Sequence, residues 1–173
     1  MMTRTAKDSA HPPLHAPPAA PTGSLEDRLA AVEDTLAILQ LEGAYAPAWD
    51  SGDADAWAGL FTDDGTFELA EVGGVPGTTI HGRDSLRRFC VEFTAHTSGI
   101  HLLNTPSIVS DGDEATARIH FEFRSGAAGD AETRHAHVAG HYTVRYRRTP
   151  DGWRIAHRRE VAVGRSRSWF YSY

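Results

Sequence analysis

The chain has 173 residues, a formal net charge of -6 at pH 7 and 40% hydrophobic residues. This length fits one domain with a core large enough to enclose a pocket. Lysine and arginine are scattered along the chain, which argues against a nucleic acid partner. No apolar run approaches the roughly 20 residues of a membrane span and no secretory signal is present, so we expect no membrane partner. The single cysteine, Cys90, excludes an internal disulfide and suits the cytoplasm.

Both ends of the chain differ in composition from the middle. Residues 1–23 are rich in proline without a hydrophobic period, which predicts a disordered leader. After a basic stretch, residues 165–173 hold four aromatic side chains that are costly to expose: Trp169, Phe170, Tyr171 and Tyr173. We therefore expect a domain at 24–164, followed by a tail that folds over a cavity mouth or into a subunit interface.

A long first helix is predicted after the leader. Ser24 and Asp27 have the spacing of a capping box, and the helix ends at Asp50, before Gly52. Apolar residues recur at three- and four-residue spacing, which we interpret as a single buried stripe containing Leu25, Leu29, Val32, Leu36, Leu39, Leu41, Tyr45 and Trp49.

Shorter elements follow in an order that predicts the fold class. Asp53 caps a helix at 54–61, a strand covers 66–70, a short strand 78–81 and another helix 83–96. The remaining chain alternates as strands, with the last two at 133–148 and 153–163. Helices gathered before antiparallel strands predict an α+β fold, in which helices and a curved sheet form a cone around a cavity.

The centre of the predicted sheet is a hairpin from His101 to Arg124. Asp111-Gly112 is a strong signal for a two-residue turn, and this turn would place His101 opposite Glu122. Alternation would then put His101 on a polar face with Arg118, His120 and Glu122, and would leave the other face apolar, with Ile119, Phe121 and Phe123. The polar face is either solvated, as is common for antiparallel sheets, or covered and functional.

Several segments together resemble a known family. They are Tyr45 with Asp50-Ser-Gly-Asp, Leu60-Phe-Thr-Asp-Asp-Gly-Thr-Phe, Ile80-His-Gly-Arg, His101 with Asp111-Gly-Asp, and Gly140-His-Tyr with Asp151-Gly-Trp-Arg. In this order, over about residues 25–163, they resemble the SnoaL-like branch of the nuclear-transport-factor-2-like superfamily. That superfamily has a cone-shaped α+β barrel and includes ketosteroid isomerase, scytalone dehydratase, bile-acid 7α-dehydratase, polyketide cyclases and non-catalytic dioxygenase β subunits.

The resemblance implies a set of site residues. The dehydratases line one cavity with a tyrosine, an aspartate and a histidine at the positions of Tyr45, Asp50 and His101. Some relatives add a catalytic residue on the next strand, where this chain offers His120, Glu122 or Arg124 without deciding among them. Arg158 matches a basic cavity residue of some dehydratases. For substrate binding we expect His120, Glu122, Arg158 and Trp49.

These residue types suit acid-base chemistry. Histidine can remove a proton beside a carbonyl at neutral pH, which makes His101 the candidate base. Tyr45 can donate a hydrogen bond to the developing oxyanion. Asp50 would orient His101 or protonate a leaving hydroxyl. Each residue also has a purely structural interpretation: a partnered histidine, a packed tyrosine, and an aspartate that caps the next helix.

Other chemistries have little support in the sequence. His135, His137 and His141 alternate onto one strand face, but an exposed polar face explains them better than a metal site. No phosphate loop, nucleophile elbow or cofactor fingerprint is present, so we expect no cofactor.

We therefore predict a cofactor-independent dehydratase, isomerase or cyclase. Its partner would be a hydrophobic small-molecule substrate, such as a hydroxy-ketone or a steroid-like or polyketide-like compound. The alternative is a non-catalytic ligand-binding or assembly module of the same fold. We also expect a homodimer or homotrimer, because the outer face of the sheet and the aromatic tail need cover.

Overall fold

The computed structural model describes residues 22–72, 74–126 and 136–166. Most of the predicted leader, His135 and the four tail aromatics lie outside these residues. Within these described ranges, three helices and seven strands follow one another in this order: α1 (Leu25–Asp50), α2 (Ala54–Gly59), β1 (Phe61–Leu69), β2 (Thr78–His81), α3 (Arg83–Thr94), β3 (Ser98–Leu103), β4 (Ser107–Asp111), β5 (Glu114–Gly126), β6 (Ala136–Thr149) and β7 (Gly152–Ser166).

All seven strands belong to one sheet. Its order is β2-β1-β7-β6-β5-β3, with β4 also paired to β5, and the path does not close. Every pair is antiparallel except β1 with β7. The core lies between the inner face of this sheet and the three helices, so the predicted α+β fold class is confirmed. Among the described residues, no helix is both long and apolar enough to span a membrane.

Helix α1 begins and ends as predicted. Ser24 accepts from the backbone N–H of Asp27 at 3.1 Å and donates its own N–H to the Asp27 carboxylate at 2.9 Å, which completes the capping box. At the other end, Gly52 has φ 72°, a conformation that favours glycine.

The prediction of one apolar stripe along α1 is wrong. The side that packs on the core contains Ile38, Leu41, Tyr45 and Trp49, all buried. Leu25, Leu29, Val32 and Leu36 are 54–76% exposed. At about 100° per residue these two sets lie on nearly opposite sides of the helix. The sequence interpretation joined them because both follow three- and four-residue spacing.

The predicted hairpin register is also wrong. Asp111 pairs with Glu114, so Gly112 and Asp113 form the turn. Strands β3 and β4 are separate segments that both pair with β5, and β3 is displaced by one residue relative to β4. The break falls at Asn104-Thr-Pro, where proline cannot donate a ladder hydrogen bond. A one-residue displacement reverses which face each side chain of β3 occupies.

Candidate active site

His101 and Asp50 form a closely coupled pair. Asp50 is the last residue of α1 and His101 lies in β3. The imidazole Nδ1 is 2.6 Å from Asp50 Oδ1, and the backbone N–H of His101 donates to Oδ2 at 2.8 Å. A carboxylate can only accept, so Nδ1 carries a proton, and the tautomer that this contact selects has its lone pair on Nε2. The His101 side chain is 8% exposed and that of Asp50 18%.

Aromatic rings surround His101 on the inner face of the sheet. Phe123, its true cross-strand neighbour, stacks on the imidazole with centroids 4.3 Å apart. Trp49 and Tyr45 contact the same ring edge-on, at 6.3 Å and 6.5 Å. The prediction that His101 faces Glu122 is therefore wrong, while Tyr45, Asp50 and His101 do lie together. Trp49 joins them through this aromatic cluster.

Gly99 makes room for the ring that stacks on His101. A Cβ at Gly99 would lie 2.6 Å from two Phe123 ring atoms and 2.7 Å from a backbone oxygen. We expect Gly99→Ala to displace Phe123 and to lower the free energy of unfolding by about 1–3 kcal/mol, as overpacking does. Urea unfolding measures this, with Gly59→Ala as control because no atom lies within 4 Å of its Cβ position. Equal stability of the two variants would contradict the prediction.

A fully buried ion pair lies beside this cluster. Arg158, on β7, is 0% exposed, and its Nη1 donates to both carboxylate oxygens of Glu42 at 2.9 Å. The guanidinium carbon is 3.6 Å from the Tyr45 ring centroid and 3.9 Å from that of Tyr142. Tyr146 donates its hydroxyl to Glu42 at 2.7 Å. Within the described part of the chain, Arg158 Nε and Nη2 have no hydrogen-bond partner.

Burial keeps the three tyrosines of this network protonated. It raises the pKa of Tyr45 well above its usual value, and Arg158 opposes the shift only in part. The pKa values of Tyr142 and Tyr146 are also raised, chiefly by burial. Burial alone would lower the pKa of Arg158, but Glu42 and the tyrosines outweigh it and the net shift is upward. Tyr45 is therefore a hydrogen-bond donor and not a base.

Two predicted substrate-binding residues lie on the outer face of the sheet, away from His101. His120 is exposed and faces His141 across the strands, with ring centroids 6.3 Å apart. Glu122 accepts from Arg124 at 2.9 Å, and that contact chiefly lowers its pKa. The one-residue displacement of β3 explains why His101 does not share a face with His120 and Glu122. It puts His101 on the face that carries Phe121 and Phe123. His137 also contacts Glu122, at 3.3 Å.

A family model for the SnoaL-like domain matches residues 30–159, three quarters of the chain. The chain belongs to the SnoaL-like domain family. This confirms the resemblance found in the sequence and agrees with the observed α+β fold.

Relatives of this SnoaL-like domain include proteins without an assigned activity. The uncharacterized protein Rv2910c of Mycobacterium tuberculosis is 30% identical over 133 residues, which cover 77% of this chain and 88% of that protein. The crystal structure of an NTF2-like protein with a cystatin-like fold from Novosphingobium aromaticivorans is 26% identical, with TM-score 0.63 and coverage of 80% and 88%. A ketosteroid isomerase-like protein from Erwinia carotovora is 19% identical, with TM-score 0.65 and coverage of 76% and 98%, which shows a shared fold.

Sequence reasoning missed two polar members of this SnoaL-like site, Glu42 and Tyr142. Glu42 lies three residues before Tyr45 on α1 and so shares its helix face. A carboxylate on a face that is otherwise apolar was the available signal, because such a group needs a buried cation. Tyr142 follows from strand alternation with Val144 and Tyr146, which are all buried.

Proposed function

We propose that this SnoaL-like protein is a cofactor-independent enzyme in which His101 removes a proton from carbon next to a carbonyl group. The products would be those of dehydration, isomerisation or cyclisation of a hydrophobic hydroxy-ketone or polyketide-like substrate. Support comes first from the pair formed by His101 and Asp50, whose geometry suits general-base catalysis by Nε2.

The contacts of Asp50 favour one of its two predicted roles. Its two carboxylate oxygens accept from the ring and from the backbone of the same residue, His101. A carboxylate held this way fixes the tautomer and direction of the imidazole and stabilises the imidazolium after proton transfer. It is poorly placed to protonate a leaving hydroxyl. We therefore assign Asp50 the role of orienting the imidazole, and we assign transfer of the substrate proton to His101.

The proton and the charge can then be followed through the reaction. Proton transfer to Nε2 gives an imidazolium and an enolate, whose oxygen gains negative charge. In dehydration the imidazolium returns the proton to the departing hydroxyl as water leaves, and in isomerisation it returns the proton to another carbon. Tyr45, a neutral phenol next to the positive charge of Arg158, would donate a hydrogen bond to the enolate oxygen.

Solvent exchange tests the proposal before the substrate is known. The full-length protein would be incubated in D₂O with a panel of hydrophobic ketones and hydroxy-ketones, and loss of the α-proton signal followed by NMR. We expect exchange with the parent and with His120→Gln, and none with His101→Gln. The His120 control carries the same substitution on the outer face of the sheet. Saturable binding without exchange would favour the ligand-binding module, and so would exchange that survives His101→Gln.

Tyr45→Phe should lower turnover by about two orders of magnitude, because it removes one hydrogen bond to developing charge while the ring packing remains. The control is Tyr146→Phe, which removes a buried hydrogen bond to Glu42. That variant should lose about 1.5–3 kcal/mol of unfolding free energy and keep its turnover per folded molecule. Steady-state kinetics and urea unfolding measure the two effects. Equal losses of turnover in both variants would contradict the role of Tyr45.

A further inference from the structure

The first three turns of α1 present an apolar surface to solvent. Leu25, Leu29, Val32 and Leu36 are exposed by 76%, 56%, 55% and 54%, and we call them the outer stripe. Residues 25–33 are exposed on every side of the helix. At the third turn the side opposite the outer stripe faces the domain, where Asp34 accepts hydrogen bonds from Arg148 at 2.7 Å and from Trp153 at 3.0 Å. The outer stripe therefore serves no part of the described core. A contiguous exposed apolar patch of this kind marks an interaction surface.

The outer stripe has the spacing of a coiled coil. Its members are separated by four, three and four residues, which assigns Leu25 and Val32 to d positions and Leu29 and Leu36 to a positions of a heptad. The flanking positions carry opposite charges. Arg28 falls at g on one side of the outer stripe, while Glu26 and Glu33 fall at e on the other side.

These flanking charges select an orientation and a partner. In a parallel helix pair each g residue faces the partner's following e residue. Arg28 of each helix would therefore face Glu33 of the other helix, which gives two ion pairs. An antiparallel pair would instead bring e against e, and so Glu26 against Glu33. The chain is thus complementary to itself in the parallel arrangement.

We propose that the outer stripe is a dimer interface, in which α1 of two copies pairs as a short parallel coiled coil. Because the outer stripe and the core face lie on nearly opposite sides of α1, the two domains would flank the helix pair without colliding.

The expected contact is small and its association should depend on concentration. Four apolar side chains from each helix and two ion pairs bury less than the 1,200 Å² or so of a standard stable interface. Each helix is already formed in the single chain, so pairing carries little additional ordering cost. This inference does not depend on the proposed catalytic activity.

Sedimentation equilibrium of the full-length protein over a range of concentrations tests the interface. We expect a monomer–dimer equilibrium for the parent and a monomer for Leu29→Glu/Leu36→Glu. The matched control is Ile100→Glu/Leu102→Glu, which places the same charges on exposed apolar residues of β3, 54% and 45% exposed, and should leave the dimer intact. Circular dichroism confirms folding of each variant. A monomeric parent would overturn the proposal, as expected if residues 1–21 covered the outer stripe. Loss of the dimer in the β3 control alone would also overturn it.

Charge reversal and cross-linking test the parallel orientation. Arg28→Glu and Glu33→Arg should each weaken dimerisation by roughly 3- to 30-fold, and the double reversal should restore it. Leu25→Cys should form an intermolecular disulfide under mild oxidation, because a parallel pair brings the two helix starts together. The native Cys90 is buried and should not compete. An intact dimer without this cross-link, or a double reversal no better than the single variants, would refute the parallel coiled coil.

Discussion

His101→Ala should lower turnover by about 10²- to 10⁴-fold, the usual cost of losing a general base. The fold should survive, because Asp50 can still accept the backbone N–H of residue 101. Steady-state kinetics on a substrate found by the exchange screen measures the loss, and circular dichroism with thermal unfolding checks the fold. His120→Ala, on the outer face, is the matched control and should keep parental turnover.

The pH dependence separates a base from a structural histidine. Protonated imidazole has no lone pair on Nε2, so activity of the parent should fall as the solution becomes more acidic. In His101→Ala the residual rate should lack this acid limb, since the base itself is gone. A His101→Ala variant that retains near-parental turnover on a true substrate would remove the basis for an enzyme. The role of His101 would then be structural, through its hydrogen bonds from β3 to Asp50 on α1.

Local signals in the sequence predicted much of the fold. The capping box at Ser24 and the glycine at position 52 define the two ends of α1. Ser24 accepts a hydrogen bond from a free backbone N–H of the first turn, and Gly52 adopts the positive φ that ends the helix. Family resemblance, rather than spacing, singled out Tyr45, Asp50 and His101. The structure brings these three together, and their roles remain a proposal.

The sequence interpretation failed where tertiary contacts determine strand register and which side of a helix is buried. The Asp-Gly signal located the turn near Gly112 but not the interruption at Pro106, and one displaced residue moved His101 to the opposite face. Both sides of α1 carry apolar residues, and spacing alone cannot tell which side meets the sheet. Glu42 was missed because its partner, Arg158, is 116 residues away in the chain.

The buried pair of Glu42 and Arg158 should have the largest effect on stability. Among the described residues, Arg158→Met leaves the buried Glu42 carboxylate with the Tyr146 hydroxyl as its remaining side-chain hydrogen-bond donor. It also removes the cation from between two tyrosine rings. Breaking a buried pair by removing one partner typically costs about 3–5 kcal/mol. Urea unfolding at neutral pH should show a loss of this size.

Glu42→Leu/Arg158→Met distinguishes stability from chemistry at the same site. Replacing both charges with apolar side chains of similar volume is often neutral or stabilising, so the double variant should regain most of what Arg158→Met loses. If the pair is only structural, turnover per folded molecule should return as well. If the positive charge beside Tyr45 favours the enolate, as proposed, turnover should stay low in a stable protein. A single Arg158→Met variant as stable as the parent would contradict the prediction. The result would mean that the Glu42 carboxylate is not left buried without a compensating partner when Arg158 is removed.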